Sequence, residues 1–275
     1  MLKLPSSLVS ADWLNGNKND ENLIILDASI KKVTGTGNKS PTNIGIPDSR
    51  FFDIENKFSD PNGQFPNTIP SEKQFQEEAR KLGIDSKSAI VIYDDKGIYS
   101  SPRAWYMFKA FGHENVAVLD GGLPEWINSG LKVEERSEYT GTDGDFMAVY
   151  KPIMMEFIED IEEDIKVDNS LILDARSAGR FNGTEAEPRA GLRSGTIPHS
   201  KSLPFTDLME GYKMKSKSEI REIFESYDST NRPKIFSCGS GITACVLALG
   251  ADLIGEENYS VYDGSWTEWG SLKPE

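Results

Sequence analysis

Short apolar runs, each closed by a polar residue or a glycine-rich turn, alternate with stretches of helical spacing along the chain. Leu23-Ile24-Ile25-Leu26 closes on Asp27, Ala89-Ile90-Val91-Ile92-Tyr93 on Asp94-Asp95-Lys96-Gly97, and Val116-Ala117-Val118-Leu119 on Asp120-Gly121-Gly122. Runs apolar on both faces predict buried strands. Residues 34–49 read as a loop rich in Gly, Thr, Asn and Pro, residues around Arg50-Phe51-Phe52 as a short strand, and 56–70 as turns. Ser71-Glu72-Lys73-Gln74 has the pattern of a capping box, and Phe75, Ala79 and Leu82 continue the helix until Gly83. Pro102 opens a second helix that reaches Phe111 and ends at Gly112, and a short third helix carries Trp126.

The order then begins again. Leu171-Ile172-Leu173-Asp174 follows Ile24-Ile25-Leu26-Asp27 at 147 positions, and Ile197-Pro198 follows Ile46-Pro47 at 151. The spacing of Ile220, Ile223, Phe224 and Tyr227 matches helix 71–82, and Ile235-Phe236-Ser237 before Cys238 matches the strand before Asp94 at 144. Tyr262-Asp263-Gly264-Ser265 with Trp266 and Trp269 matches Leu119-Asp120-Gly121-Gly122 with Trp126. Landmarks repeated in one order predict a duplicated α/β domain, each copy a mainly parallel sheet flanked by helices. The copies span 1–135 and 150–275, joined by the polar, acidic run from about Glu134 to Tyr150.

One loop concentrates the chemistry. Strand 235–237 delivers Cys238 into Gly239-Ser240-Gly241-Ile242-Thr243-Ala244, and an apolar helix over 246–254 follows. A strand–loop–helix of this kind points backbone amides inward and adds a helix N-terminus, which stabilises an anion. A cysteine at its lip is held as thiolate, below the pKa of about 8.5 of a free thiol. The spacing also suits one more small buried cysteine. In the first copy Asp94 stands in its place, so any thiolate chemistry belongs to the second copy alone. Four of the chain's ten arginines (Arg176, Arg180, Arg189, Arg193) fall within residues 174–193. Guanidinium forks suit carboxylates, and pairing with Glu185 and Glu187 is the competing use for them. Both features sit where strands end, the side of an open α/β sheet that binds ligands.

Composition narrows the reading. A formal charge of −14 argues against nucleic acid or an anionic membrane as partner, and makes a local basic site necessary for any anionic substrate. Two cysteines, with Cys245 inside a predicted helix, form no disulfide framework and suit a reducing compartment. No apolar leader segment and no 18-residue apolar run is found, so a soluble, cytoplasmic protein is expected. Two distant histidines and two cysteines make no metal-ligand cluster, so neither metal nor cofactor is expected.

With these residues in place the chain resembles the tandem-rhodanese sulfurtransferases, from Leu8-Val9-Ser10-Ala11-Asp12-Trp13-Leu14 to Asp263-Gly264-Ser265-Trp266-Thr267-Glu268-Trp269-Gly270. Cys238-Gly239-Ser240-Gly241-Ile242-Thr243-Ala244 is similar to the loop of their 3-mercaptopyruvate type; the thiosulfate type has bulky basic residues where Gly239 and Ser240 stand. The resemblance implies an inactive first domain carrying Asp94 and a catalytic second one. It implies that the Cys238 thiolate takes sulfur from 3-mercaptopyruvate as a persulfide, releasing pyruvate, and passes it to a thioredoxin-like protein, a small thiol or cyanide. Arg180 and Arg189, in Gly-Arg-Phe and Glu-Pro-Arg, match the substrate-binding arginines, with Gly239, Gly241, Ile242 and Thr243 completing the binding loop. Ser240 is expected to bond to the substrate or relay a proton, with Glu55 as the acidic partner. The family's relay histidine falls near Asn67, where this chain has none, and Gly45 and Thr196 stand where a histidine usually precedes Ile-Pro. Cys245, Trp126, Trp266 and Trp269 read as packing, Arg176 as a structural ion-pair partner, His199 as a surface residue, and Arg193 is open. Three alternatives stand beside this reading. A thiosulfate sulfurtransferase is opposed by Gly239 and Ser240. A phosphatase on the same scaffold is opposed by Ala244 and Cys245 where a phosphate-gripping arginine belongs. A non-catalytic sulfur-carrier or protein-binding module is opposed by Cys238 and both arginines.

Overall fold

Each apolar run becomes a strand, and the two copies fold with one topology. The computed structural model describes residues 1–30, 43–230 and 232–274, so residues 34–42 of the expected 34–49 loop lie outside the described residues. In the first copy the sheet strands are β1 (Leu8–Val9), β2 (Leu23–Asp27), β3 (Arg50–Phe51), β4 (Ala89–Tyr93) and β5 (Val116–Leu119). In the second they are β6 (Met155–Glu156), β7 (Leu171–Asp174), β8 (Lys201–Ser202), β9 (Lys234–Ser237) and β10 (Tyr259–Tyr262). All pair in parallel, in the order β1-β5-β4-β2-β3 and β6-β10-β9-β7-β8. The landmark matches between the halves therefore fall on corresponding elements of one repeated topology.

The helices are α1 (Ala11–Asn17), α2 (Glu72–Lys81), α3 (Ser101–Ala110), α4 (Gly122–Asn128), α5 (Ile158–Val167), α6 (Ala178–Phe181), α7 (Lys217–Tyr227), α8 (Ala244–Leu253) and α9 (Ser265–Leu272). The capping box expected at Ser71 is only half formed. Ser71 Oγ accepts from Gln74 N–H, but the Gln74 side chain donates to the carbonyls of Lys57 and Ser59 instead of returning to the cap. The full reciprocal box stands at α7, between Ser216 and Glu219. None of the helices among the described residues is long and apolar enough to cross a membrane.

The chain divides into two compact units: Met1–Pro61 with Ile69–Lys151 and Gly211–Met214, and Asn62–Thr68 with Pro152–Glu210 and Lys215–Glu275. The segment Asn62–Thr68 thus packs as part of the second unit. The first unit holds an aromatic cluster of Phe52, Phe58, Phe75, Phe108 and Phe146, with Phe75 fully buried at its centre. The acidic run around 134–150, linker by composition, is strapped onto that unit. Gly144 and Phe146 donate backbone bonds to Arg80 and Ile84, and Arg80 Nε donates back to the Phe146 carbonyl. In the second unit Ile158, Ile161, Ile172, Ile197, Ile235, Trp266 and Trp269 form a core on one side of the sheet.

Truncating Phe75 removes the ring that its neighbours pack around. Phe75→Ala is expected to lower unfolding free energy by about 3–5 kcal/mol, read as a fall in the urea midpoint of the first unit's transition.

Candidate active site

The first unit shows what the strand–loop–helix is for. After β4 the Asp94 side chain turns into its own loop: Oδ1 accepts from Lys96 N–H at 2.9 Å, and Oδ2 from the amides of Tyr99, Ser100 and Ser101 at 2.9–3.0 Å and from Ser101 Oγ at 2.7 Å. A fully buried carboxylate is held by four backbone amides and a hydroxyl. This loop therefore binds an anion, and here the protein supplies its own.

In the second unit the equivalent position is Cys238, which follows β9 and is 2% exposed. A cysteine side chain carries no carboxylate to reach the amides. Among the described residues, the amides of Gly239, Ser240, Ile242 and Thr243 donate to no protein acceptor. Gly241 takes φ +73, matching Gly97 at φ +104, so the backbone turns alike in both loops. The expectation that all successive amides converge on the cysteine needs one correction. Cys238 N–H and Gly241 N–H both donate, at 3.1 and 3.2 Å, to Ser265 Oγ, which in turn donates to the Tyr262 carbonyl at 2.8 Å. Two amides are tied off behind the loop. The others stay open.

Ser265 is a residue that sequence reading missed. Its counterpart is Gly122, and both sit in the left-handed region, at φ +52 and +53. A side chain at Gly122 would meet the Gly97 and Asp94 carbonyls at 2.3 and 2.5 Å. Serine bears the same backbone conformation in the second unit because its hydroxyl replaces those close backbone contacts with hydrogen bonds. A polar side chain where its repeat partner has glycine was the available signal. Beside it, Trp266 N–H donates to the Cys238 carbonyl and Thr267 N–H and Oγ1 to the Gly239 carbonyl, so the start of α9 holds the loop along its length.

The arginine-rich segment divides its labour. Arg176 is buried and makes a bidentate pair with Asp174, donates to Glu187 and caps the Gly195 carbonyl. Burial raises the Asp174 carboxyl above the usual carboxylate range, and Arg176 offsets only part of that. The Trp266 ring lies between the guanidiniums of Arg176 and Arg193, at 4.6 and 4.7 Å. Arg193 also donates to the carbonyls of Lys273 and Pro274, which makes it structural too. Arg180 pairs with Glu187 through Nη2 at 2.6 Å and Nε at 3.3 Å, so the competing use is realised for one side of its fork. Glu187 is shared by Arg176 and Arg180. Arg189 Nη2 donates to Ser240 Oγ at 3.1 Å and Nη1 to Thr267 Oγ1 at 3.2 Å.

Both candidate arginines reach the loop. A methyl group on the Gly239 α-carbon would come within 3.0 Å of Arg180 Nη2 and 3.7 Å of Arg189 Nη1. Ser240 is buried and accepts from Asn67 Nδ2 at 2.9 Å, on the segment Asn62–Thr68. Ile242 is buried at the turn into α8, and Thr243 stands at the N-cap position of that helix without a side-chain capping bond. Cys245 is buried on α8, its thiol directed to the Gly241 carbonyl. Glu55 is exposed and belongs to the first unit. His199 is on the surface, 3.9 Å from Asp168. Among the described residues no group of His, Cys, Asp and Glu side chains could hold a metal ion.

A family model described as Rhodanese-like domain matches residues 10–129 and again 157–272, and the chain belongs to that family. It is 39% identical to human 3-mercaptopyruvate sulfurtransferase, over 97% of this chain and 93% of that one. The enzyme of that name from Escherichia coli K12 is 36% identical, over 96% and 94%. The crystal structure of SseA from Escherichia coli superposes with a TM-score of 0.83 at 32% identity, covering 95% of this chain and 99% of that one.

The role given to Ser265 is open to measurement. Ser265→Ala leaves the Cys238 and Gly241 amides buried without an acceptor and is expected to destabilise the protein by about 2–4 kcal/mol, seen as a lower urea midpoint for the second unit's transition. An unchanged midpoint would show that the loop holds its shape without this hydroxyl.

Proposed function

We propose that the protein is a sulfurtransferase that takes sulfur from 3-mercaptopyruvate through a persulfide on Cys238 and hands it to a thiol. The observation that carries this is the cradle. Its first copy is filled by a carboxylate, and its second keeps open amides around a cysteine with two guanidiniums beside Gly239. The names of the relatives at 36–39% identity support the substrate.

In this reading the open amides lower the energy of the Cys238 thiolate and, after reaction, of its persulfide. Arg180 and Arg189 receive the substrate carboxylate, Arg180 through the edge of its fork that Glu187 does not occupy. The thiolate attacks the substrate sulfur, the S–S bond forms, the C3–S bond breaks, and its electron pair leaves on the enolate of pyruvate. An acceptor thiol then attacks the outer sulfur and releases the Cys238 thiolate. A side chain at residue 239 would press on the tips of Arg180 and Arg189. A basic residue there would push out the very groups that grip a carboxylate, which disfavours thiosulfate as the physiological donor. Two free cysteines suit a reducing compartment such as the cytoplasm, with a small thiol or a thioredoxin-like protein as acceptor.

Steady-state assays decide between donors. Pyruvate release from 3-mercaptopyruvate with dithiothreitol is expected to exceed thiocyanate formation from thiosulfate and cyanide by a large factor, and Cys238→Ser to abolish both. Equal use of thiosulfate contradicts the substrate assignment, and an active Cys238→Ser protein contradicts the mechanism.

The arginines make a separable prediction. Arg180→Ala and Arg189→Ala each remove a charge-assisted contact of about 1.5–3 kcal/mol, so KM for mercaptopyruvate should rise by about tenfold or more with a smaller change in kcat. A KM untouched in both variants places the carboxylate elsewhere.

A further inference from the structure

The Ser240 hydroxyl has an unusual set of neighbours. Its oxygen accepts from Asn67 Nδ2 at 2.9 Å and from Arg189 Nη2 at 3.1 Å. A hydroxyl has two acceptor lone pairs and one proton to donate. Both lone pairs are taken, and by groups that do not surrender protons in the neutral pH range: an amide and a guanidinium. Among the described residues no protein acceptor takes the Ser240 proton. That proton is available to a bound molecule, and the oxygen can accept no other.

Building on the sulfurtransferase reading, we infer that Asn67 is a positioning residue: with Arg189 it locks the Ser240 hydroxyl as a fixed hydrogen-bond donor to the leaving enolate, and the sulfur-transfer step runs without a titrating relay. As the Cys238–S bond forms and the C3–S bond breaks, the electron pair spreads onto the substrate's C2 oxygen. Ser240 donates a hydrogen bond to that oxygen and keeps its proton. The proton that C3 needs comes from the S–H of the newly formed persulfide, leaving the persulfide anion in the amide cradle. No outside acid or base enters the balance.

The charged groups around Ser240 agree with this. The loop contributes Cys238, and segment 174–193 contributes Arg180 and Arg189, with Arg176, Glu187 and Asp174 paired behind them. On α9 Glu268 lies against Gly264. The segment Asn62–Thr68 has no ionisable side chain. Of the chain's two histidines, His199 is on the surface beside Asp168 and His113 is buried in the first unit against the Ser88 carbonyl. Asn67 adopts φ +63, a conformation in which Asn, Asp and His are the commonest non-glycine residues, so replacements among these three fit the backbone.

Single-turnover pyruvate release after mixing the intact protein with 3-mercaptopyruvate, without acceptor thiol, tests the inference between about pH 5.5 and 7.5. Iodoacetamide alkylation of Cys238 over the same range gives the ionisation of the thiolate itself. The wild-type burst rate should follow the alkylation profile and show no second ionisation. Asn67→Ala should slow the saturated burst by about fivefold or more, with half-saturation changed by less than about twofold. Asn67→Asp, which can only accept at that position, should be slower still. Asn67→His should add an ionisation near pH 6.5, the ordinary histidine value. An Asn67→Asp protein as fast as wild type would mean that Asn67 accepts from Ser240, and would overturn the inference. So would an unimpaired Asn67→Ala protein, or a second ionisation in the wild type that alkylation lacks. Absence of any wild-type burst overturns the proposed function as well; the other adverse results overturn this inference alone.

Discussion

A ring of inward-pointing backbone amides at the end of a strand is a fixed concentration of partial positive charge, and it must be answered. Left buried and unpaired, such amides are destabilising, so the loop's occupant is part of the fold. In the first unit the answer is covalent: Asp94 bends back and four amides and Ser101 Oγ close on it. In the second unit the residue in that position is Cys238, whose short side chain carries no carboxylate to answer them, and the amides of Gly239, Ser240, Ile242 and Thr243 meet no protein acceptor among the described residues. The same scaffold is thus a plugged anion site in one copy and an open one in the other.

Much of the second unit serves to keep that opening in shape without filling it. Ser265 takes up the two amides that would otherwise compete, and the start of α9 grips the Cys238 and Gly239 carbonyls. Of the two acids buried here, one is bound to Arg176 and the other is split between Arg176 and Arg180, so Arg180 is only partly neutralised. Asp174 is tied to Arg176, and Glu187 holds Arg176 with one oxygen while orienting Arg180 with the other. A chain of net charge −14 thereby keeps a cationic edge at one loop, by burying its local acids among arginines. Such buried pairs fix position more than they add stability.

The central strands were legible along the chain because they are buried on both faces and leave unbroken apolar runs, whereas the two-residue strands Leu8–Val9, Met155–Glu156 and Lys201–Ser202 carry no such run. The repeat was legible for the same reason: Asp27 and Asp174 end equivalent strands. Capping was read less well. The Ser71 pattern formed only half its box because Gln74 was drawn to the carbonyls of Lys57 and Ser59, and a local motif does not register such a competitor. Composition also marked residues 134–150 as linker, whereas Phe146 enters the aromatic cluster and its neighbours bond to the edge of the first unit.

The sequence by itself determined the duplicated α/β architecture, the cysteine loop, its replacement by Asp94 in the other copy, and the arginines at 180 and 189. Each of these is written in local residue types and their spacing. Only the tertiary structure decided how the hydrogen bonds are shared out. It assigned two loop amides to Ser265, one side of Arg180 to Glu187, Arg193 to packing on Trp266, and Asn67 to Ser240. The physical reason is that hydrogen-bond capacity is finite and directional. Which donor reaches which acceptor depends on segments as far apart as residues 67, 189, 240 and 265, and no local pattern records that distribution.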